Sequence, residues 1–314
     1  MSQRNTNDKV AVVTGGNKGF GLSLVRILCK SGFPGVVYLT ARDEGRGRAA
    51  LEQLKGEGLN PRYHQLDLAY GESIRGFAEH VKKEHGGLDV LIANGSIPFS
   101  PGMRYEQVEE AIRSQETAFC LICLRFFGLT SSNVCVTRTN NKGNAELCTT
   151  LLPLFRPDGR LLVVSSGFGQ LVHLGPDLRK KFLATDSMGV EDLNNLLDDY
   201  LRDLKAGDAE QKGWPDWGNK VSKIGLVELA RILDQQTRSE PQRYPGLLVN
   251  AVCPGWMMTD VSRPCLDKEN KFGADQAKMP DEAAVDVVWL ATLPGSSQPA
   301  GQLVQYRKVI PFEG

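Results

Sequence analysis

The densest cluster of residues able to do chemistry lies close to the start of the chain. The segment T-G-G-N-K-G-F-G-L places Thr14, Gly15, Gly19 and Gly21 in a T-G-x-x-x-G-x-G spacing, with Asn17, Lys18 and Phe20 between them. Glycines at those intervals let the backbone turn tightly and approach a pyrophosphate, whose charge the N-terminus of a following helix stabilises. A glycine-rich turn alone can also be an ordinary strand-to-helix connection, so its context decides the reading. The apolar, β-branched run Lys9 to Thr14 precedes it, and an amphipathic stretch from Leu22 to Lys30 follows. Strand, turn and helix in that order point to dinucleotide binding. At the end of the next strand an acidic residue would pair with ribose hydroxyls, whereas a cation would meet a 2′-phosphate. The chain has T-A-R there, with Arg42, and Lys18 is a second cation within reach of the same phosphate. Each could be a solvated surface charge by itself, but together they favour NADP(H) over NAD and speak against an NAD-linked alcohol dehydrogenase.

Such a site needs a sheet to hold it. After the first unit, the run from Gly35 to Thr40 leads into a charged helix from Asp43 to Lys55, and Tyr63 to Leu66 into one from Glu72 to Lys83. Leu88 to Ile92, Arg160 to Ser165 and Leu247 to Val252 supply three more strands, apolar on both faces. Alternating strands and helices with doubly buried strands predict an α/β Rossmann fold, a doubly wound parallel sheet with helices on both faces. At 314 residues the chain fits one such domain. Two stretches exceed the minimal unit. One, 115–137, is an irregular insert containing A-F-C-L-I-C-L-R-F-F-G-L. The other, 171–217, is charged and helix-favouring and reads as a small helical insertion.

Composition excludes several partner classes. There are 37 basic and 37 acidic residues, so no net charge draws the chain to nucleic acid or an anionic membrane. Met1 to Lys9 is polar, without the apolar core of a secretory signal, and no run approaches the roughly 20 apolar residues of a membrane span. A cytoplasmic protein acting on small molecules is expected. Seven cysteines in so long a chain read as reduced thiols. Cys120 and Cys123 form a C-x-x-C set among Phe and Leu, with no second pair nearby, and read as apolar filler rather than a zinc or redox site. The four histidines show no paired metal-ligand spacing, and no metal is expected.

Nearly the whole chain resembles the short-chain dehydrogenase/reductase family, and within it the carbonyl reductases. T-G-G-N-K-G-F-G-L, L-T-A-R-D, H-Q-L-D-L, G-G-L-D-V-L-I, L-V-V-S-S, K-G-W-P, K-I-G and C-P-G-W occur in the family's order. The resemblance implies that Asp67, with Leu68 beside it, meets the adenine, that Asn94 belongs to the cofactor site, and that Pro254, Gly255 and Trp256 lie against the nicotinamide and the substrate. It also implies hydride transfer to a carbonyl carbon of an aldehyde, ketone or quinone. In the family a Ser holds the carbonyl oxygen, a Tyr gives the proton, a Lys lowers that Tyr's pKa and holds the nicotinamide ribose, and an Asn anchors water to the Lys. The Ser corresponds to Ser166, the Lys to Lys223 and the Asn, by best match, to Asn140. Four residues before Lys223 stands Asn219 instead of Tyr, and neither a one-residue slip nor Tyr200, far upstream, repairs the motif. Loss of a positioned general acid costs about 10²- to 10⁴-fold in rate.

Two further departures accompany it. The family's N-N-A-G segment is A-N-G-S here, with Ala93 and Asn94 at the asparagine positions, and 115–137 interrupts a helix that is continuous in the family. Both a genuine insertion and a sequence-level error such as an unremoved intron are compatible with that interruption. The sequence therefore supports an NADPH-dependent carbonyl reductase of reduced efficiency, with a pseudoenzyme that binds NADP(H) as a sensor or interaction partner as the alternative. Carbonyl reductases carry a helical insert over the helix through which many relatives dimerise. Because 171–217 leaves room for it, a monomer is expected.

Overall fold

The structure, a computed structural model, describes residues 8–96, 137–184, 187–259, 277–294 and 299–314. Its strands are β1 (Lys9–Val13), β2 (Gly35–Ala41), β3 (Arg62–Gln65), β4 (Leu88–Ala93), β5 (Phe155–Val164), β6 (Leu248–Cys253), β7 (Leu303–Gln305) and β8 (Lys308–Ile310). They form one sheet in the order β3-β2-β1-β4-β5-β6-β7-β8. All pairings are parallel except that of β7 with β8. The strand order reverses between β1 and β4, the topological switch point at which an α/β sheet opens a crevice for ligands.

Side-chain alternation builds the two layers. Val10 and Val12 of β1, Leu91 of β4, and Leu161 and Val163 of β5 enter one apolar cluster; Ala11, Val13, Val90, Ile92 and Leu162 enter the other. Each strand thus feeds both faces with period two. Helices α1 (Gly19–Lys30), α2 (Glu44–Gly56) and α8 (Pro280–Ala291) supply the second cluster. Helices α3 (Gly71–His85), α4 (Asn144–Leu151) and α7 (Gly218–Ser239) cover the first, joined by α5 (Pro176–Leu183) and α6 (Val190–Ala206).

Several boundaries differ from the sequence reading. Helix α1 begins at Gly19 rather than Leu22, because the last glycines of the turn already form its first turn. Strand β5 begins at Phe155, five residues before Arg160, and its register shifts against β4 between Leu88 and Val90. Arg160 itself is buried in mid-strand, where its guanidinium donates to the carbonyls of Asp158, Gly159, Gly246 and Leu293. The short strands β7 and β8 carry too little pattern to be anticipated, and β8 makes the sheet mixed rather than wholly parallel.

The insertion at 171–217 is a subdomain of α5 and α6. Its interior is Phe182, Tyr200 and Trp214, with Tyr200 and Trp214 ring centroids 5.2 Å apart. Asp203 closes it, accepting from Trp214 Nε1 at 2.9 Å and Lys212 Nζ at 2.7 Å. Of the insert at 115–137 only Thr137 is described; Cys120 and Cys123 lie outside the described residues. From Thr137 the chain runs as a π-helical turn, Thr137–Gly143, into α4. Among the described residues no group of His, Cys, Asp and Glu could hold a metal ion, and no helix is long and apolar enough to cross a membrane.

Candidate active site

A cavity of about 680 Å³ opens along the C-terminal ends of β1, β2, β4, β5 and β6. Of the residues expected at the site from sequence, all but Asn140 line it.

At the nucleotide end, Lys18 caps α1 in an extended conformation without a side-chain cap bond, and the first turn holds no acidic residue. The N–H groups there therefore face the cavity without a competing carboxylate, as a pyrophosphate requires. Gly21 is obligatory because a Cβ would lie 2.1 Å from the Gly15 carbonyl oxygen. Thr14 Oγ1 accepts from the backbone N–H of Asn94 at 3.0 Å and of Gly95 at 2.7 Å, and Asn94 Nδ2 donates to Thr14 O at 2.9 Å. Asn94 thus braces the glycine turn as well as lining the cavity, and the asparagine that Ala93 replaces is not needed for that brace. Arg42 reaches the rim half-buried; burial pulls its pKa down, and Asp67 opposes the shift. Arg46, one turn into α2, adds a cation that the sequence reading passed over. No helical spacing signals it, because Arg42 precedes the N-cap Asp43 and lies outside α2.

At the other end, Ser166 follows the last residues of β5 and its Oγ accepts from Phe168 N at 3.2 Å, which leaves its own hydroxyl proton to donate. Its neighbour Ser165 points the other way, donating from Oγ to Lys223 O at 2.8 Å. That bond ties β5 to α7 at the residue that carries the ammonium. Lys223 and Asn219 stand one turn apart on α7 and line the same cavity. Burial pulls the Lys223 ammonium down to about 8, with Cys253 opposing weakly. Asn140 is buried outside the lining, and Thr139 takes its place at the wall. The adjacent Asn141 makes the bond to α7, donating from Nδ2 to Ser222 O at 2.8 Å. Tyr200 lies in the insertion's core, 2 % exposed and absent from the cavity wall, with burial pushing its phenol up to about 12.

Residues 9–174, more than half of the chain, match the family described as short chain dehydrogenase. The chain belongs to that family. Curated short-chain dehydrogenase relatives include "Carbonyl reductase [NADPH] 1" of Homo sapiens, 38% identical over 303 residues, covering 96% of this chain and 97% of that protein. "Carbonyl reductase [NADPH] 3" of Mus musculus is 38% identical over 305 residues, with the same coverage of both chains. Among solved structures, salutaridine reductase from Papaver somniferum superposes with a TM-score of 0.73 at 26% identity, over 94% of this chain and 99% of that one.

In this short-chain dehydrogenase aromatic rings wall the cavity beside Ser166. Phe168 packs edge-on to Trp217 at 5.1 Å and to Trp256 at 6.2 Å, and His173 is tilted against it at 6.0 Å. Val172, Met257 and Gln170 complete that wall. Phe168, His173 and Trp217 are not legible as site residues in the sequence, because two belong to the insertion and the third to a turn, where no periodicity tells which side chains face inward.

Proposed function

We propose that the chain reduces aldehydes, ketones or quinones with NADPH, slowly, as a single-domain cytoplasmic monomer. The carrying observation is that one cavity joins a cationic rim, Lys18, Arg42 and Arg46, to a floor of Ser166, Lys223 and Asn219. The uncapped start of α1, free of acidic residues, fits a pyrophosphate, and the rim fits a 2′-phosphate. Bound there, the dinucleotide supplies a hydride.

The chain's own residues do the rest. Asp67 and Leu68 border the adenine end, while Pro254, Gly255 and Trp256 close the nicotinamide end, where Asn17 and Phe20 continue the pyrophosphate cradle. Lys223 holds the ribose and adds positive charge beside the reacting carbonyl. Ser166 donates from Oγ to the carbonyl oxygen and stabilises the negative charge that gathers on it as the hydride arrives. Asn140, behind the wall, supports α7 through the π-helical turn it shares with Asn141. What the floor lacks is a phenol. The Asn219 amide donates hydrogen bonds but does not release a proton at neutral pH. The alternative, an NADP(H)-binding sensor without turnover, draws on the same residue.

Fluorescence titration with NADPH and NADH, followed by turnover of a quinone such as menadione, separates these readings. NADPH is expected to bind more tightly, since charge-assisted contacts to the 2′-phosphate are worth about 1.5 to 3 kcal/mol each. Arg42→Asp should remove most of that preference. Equal dissociation constants for the two cofactors, or an unchanged preference in Arg42→Asp, would contradict the assignment. Tight NADPH binding with no turnover of any carbonyl would favour the sensor.

A further inference from the structure

A reductase without its phenol still needs a proton for the oxygen that receives charge, and the geometry points to His173 as the group that delivers it. This rests on the carbonyl reductase reading above. His173 ends a 3₁₀ turn, Leu171–His173, between β5 and α5, and lines the same cavity as Ser166, Asn219 and Lys223. The backbone on both sides of it is tied down. Leu171 N donates to Phe312 O at 2.8 Å and Gln170 Nε2 to Pro311 O at 2.9 Å, so the C-terminal tail straps the turn. From α5, Arg179 donates to Leu174 O at 2.8 Å and to Val172 O at 2.9 Å. The imidazole is therefore carried on a fixed backbone, yet among the described residues neither ring nitrogen has a hydrogen-bond partner.

The other three histidines differ in this respect. His80 and His85 both bond the Tyr38 hydroxyl, and His64 Nδ1 bonds Gln65 O. A half-buried imidazole with open nitrogens at a cavity wall is placed to meet a ligand or a water. The charged groups that face it are Lys220 on α7 and Arg179 on α5, which disfavour the imidazolium, and Asp216 before α7, which favours it. Lys220 and Asp216 pair at 2.8 Å and largely offset each other. The tail meets the turn through Pro311 and Phe312, and Gly314 packs against Val172 beside it. Burial is the largest influence, and the ring titrates below its usual 6.5.

A C–H bond forms at the carbonyl carbon with the hydride, the C=O π pair moves to oxygen, and the imidazolium N–H breaks as the O–H forms, directly or through one water. The dinucleotide is oxidised and the carbonyl reduced, and the ring recovers its proton from solvent. At neutral pH the imidazolium is the minor form, so such an enzyme is slow at pH 7 and faster in mild acid.

The test is the pH dependence of kcat with NADPH and menadione from pH 5.5 to 9, with NADPH affinity followed by fluorescence at each pH. We expect kcat to fall about tenfold per pH unit above a break below 6.5. His173→Gln should lose about 10²-fold at pH 6 and flatten that limb at unchanged NADPH affinity, and added imidazole should restore part of the rate in His173→Gly. The His173 ring resonance in NMR should titrate below 6.5 in the unaltered chain. In an Asn219→Tyr background His173→Gln should cost less than about threefold, since the phenol takes over. A break near 8 that survives in His173→Gln would assign the proton to Lys223 and overturn the proposal. An equal loss in both backgrounds would make His173 merely structural. Turnover absent from the unaltered chain at every pH would also overturn it, and turnover absent from Asn219→Tyr as well would sink the carbonyl reductase reading itself.

Discussion

At the scale of single residues, position 219 is expected to limit the rate of the proposed reaction. Asn219 lines the cavity one helical turn before Lys223, at the position where the resemblance implies a Tyr. The rest of the floor is in place: Ser166 keeps a proton to donate, and Lys223 is tethered through its carbonyl to Ser165. Asn219→Tyr is therefore expected to raise the rate of menadione reduction at pH 7 by at least about 10²-fold, the lower end of a general acid's contribution. NADPH affinity should change little, because the residues at the phosphates are remote from this turn. Steady-state kinetics with both proteins checks this. An unaltered chain already as fast as the variant would mean that the proton has another efficient source at neutral pH.

At the scale of elements, α7 is the piece on which the site depends, and the insertion holds it. Gly225 on α7 allows close approach: a Cβ there would lie 2.6 Å from Asn141 Nδ2 and 3.3 Å from Leu197 of α6. Lys142, in the π-helical turn, pairs with Asp198 of α6 at 2.7 Å. The insertion's buried Phe182, Leu193 and Leu197 belong to the same apolar cluster as Val221 and Ile224 of α7. Full burial of one such side chain is worth about 1.5 to 3 kcal/mol, so this packing is hard to exchange for a subunit contact. A helix face already covered by its own chain is not free for a partner, and the protein is expected to sediment as a 34.5 kDa monomer. Analytical ultracentrifugation at micromolar concentration tests this, and a stable dimer would show that α7 pairs by a face the insertion leaves bare.

At the scale of the whole molecule, a histidine cluster outside the cavity is expected to contribute to the acid response of stability. The Tyr38 hydroxyl lies 3.0 Å from His80 Nε2 and 2.9 Å from His85 Nε2, so it donates to one ring and accepts from the other. His64 lies tilted against His80, with ring centroids 4.5 Å apart. Burial holds both His80 and His85 below their usual pKa. His64, Arg62 and Lys83 add to the shift at His80, and Arg62, His80 and Arg156 at His85, with Glu84 opposing in each case. Unfolded histidines take up protons near 6.5 while these folded ones resist, so the unfolded state binds more protons as pH falls below about 6.5. Folding stability is thus fully present above that value and declines below it. Urea unfolding at pH 7.5 and 5.5 should show a lower midpoint in acid, and the difference should shrink in His80→Gln/His85→Gln. An equal acid loss in that variant would place the sensitive groups elsewhere.

The sequence by itself determined what rests on local pattern. Strands apolar on both faces, the glycine turn opening α1, Arg42 at the end of β2, and Asn219 four residues before Lys223 are each legible because they rest on residue type and spacing within one element. Only the tertiary structure decided what depends on elements meeting. It put Arg46 on the cavity rim, gave the bond to Ser222 to Asn141 while Asn140 lies behind the wall, set Asn94 to brace Thr14, and withdrew Tyr200 into the insertion. It also brought His173, on a turn without periodicity, into the cavity beside Phe168. The C-terminal tail and Arg179 hold that turn, and such long-range hydrogen bonds leave no mark on local sequence.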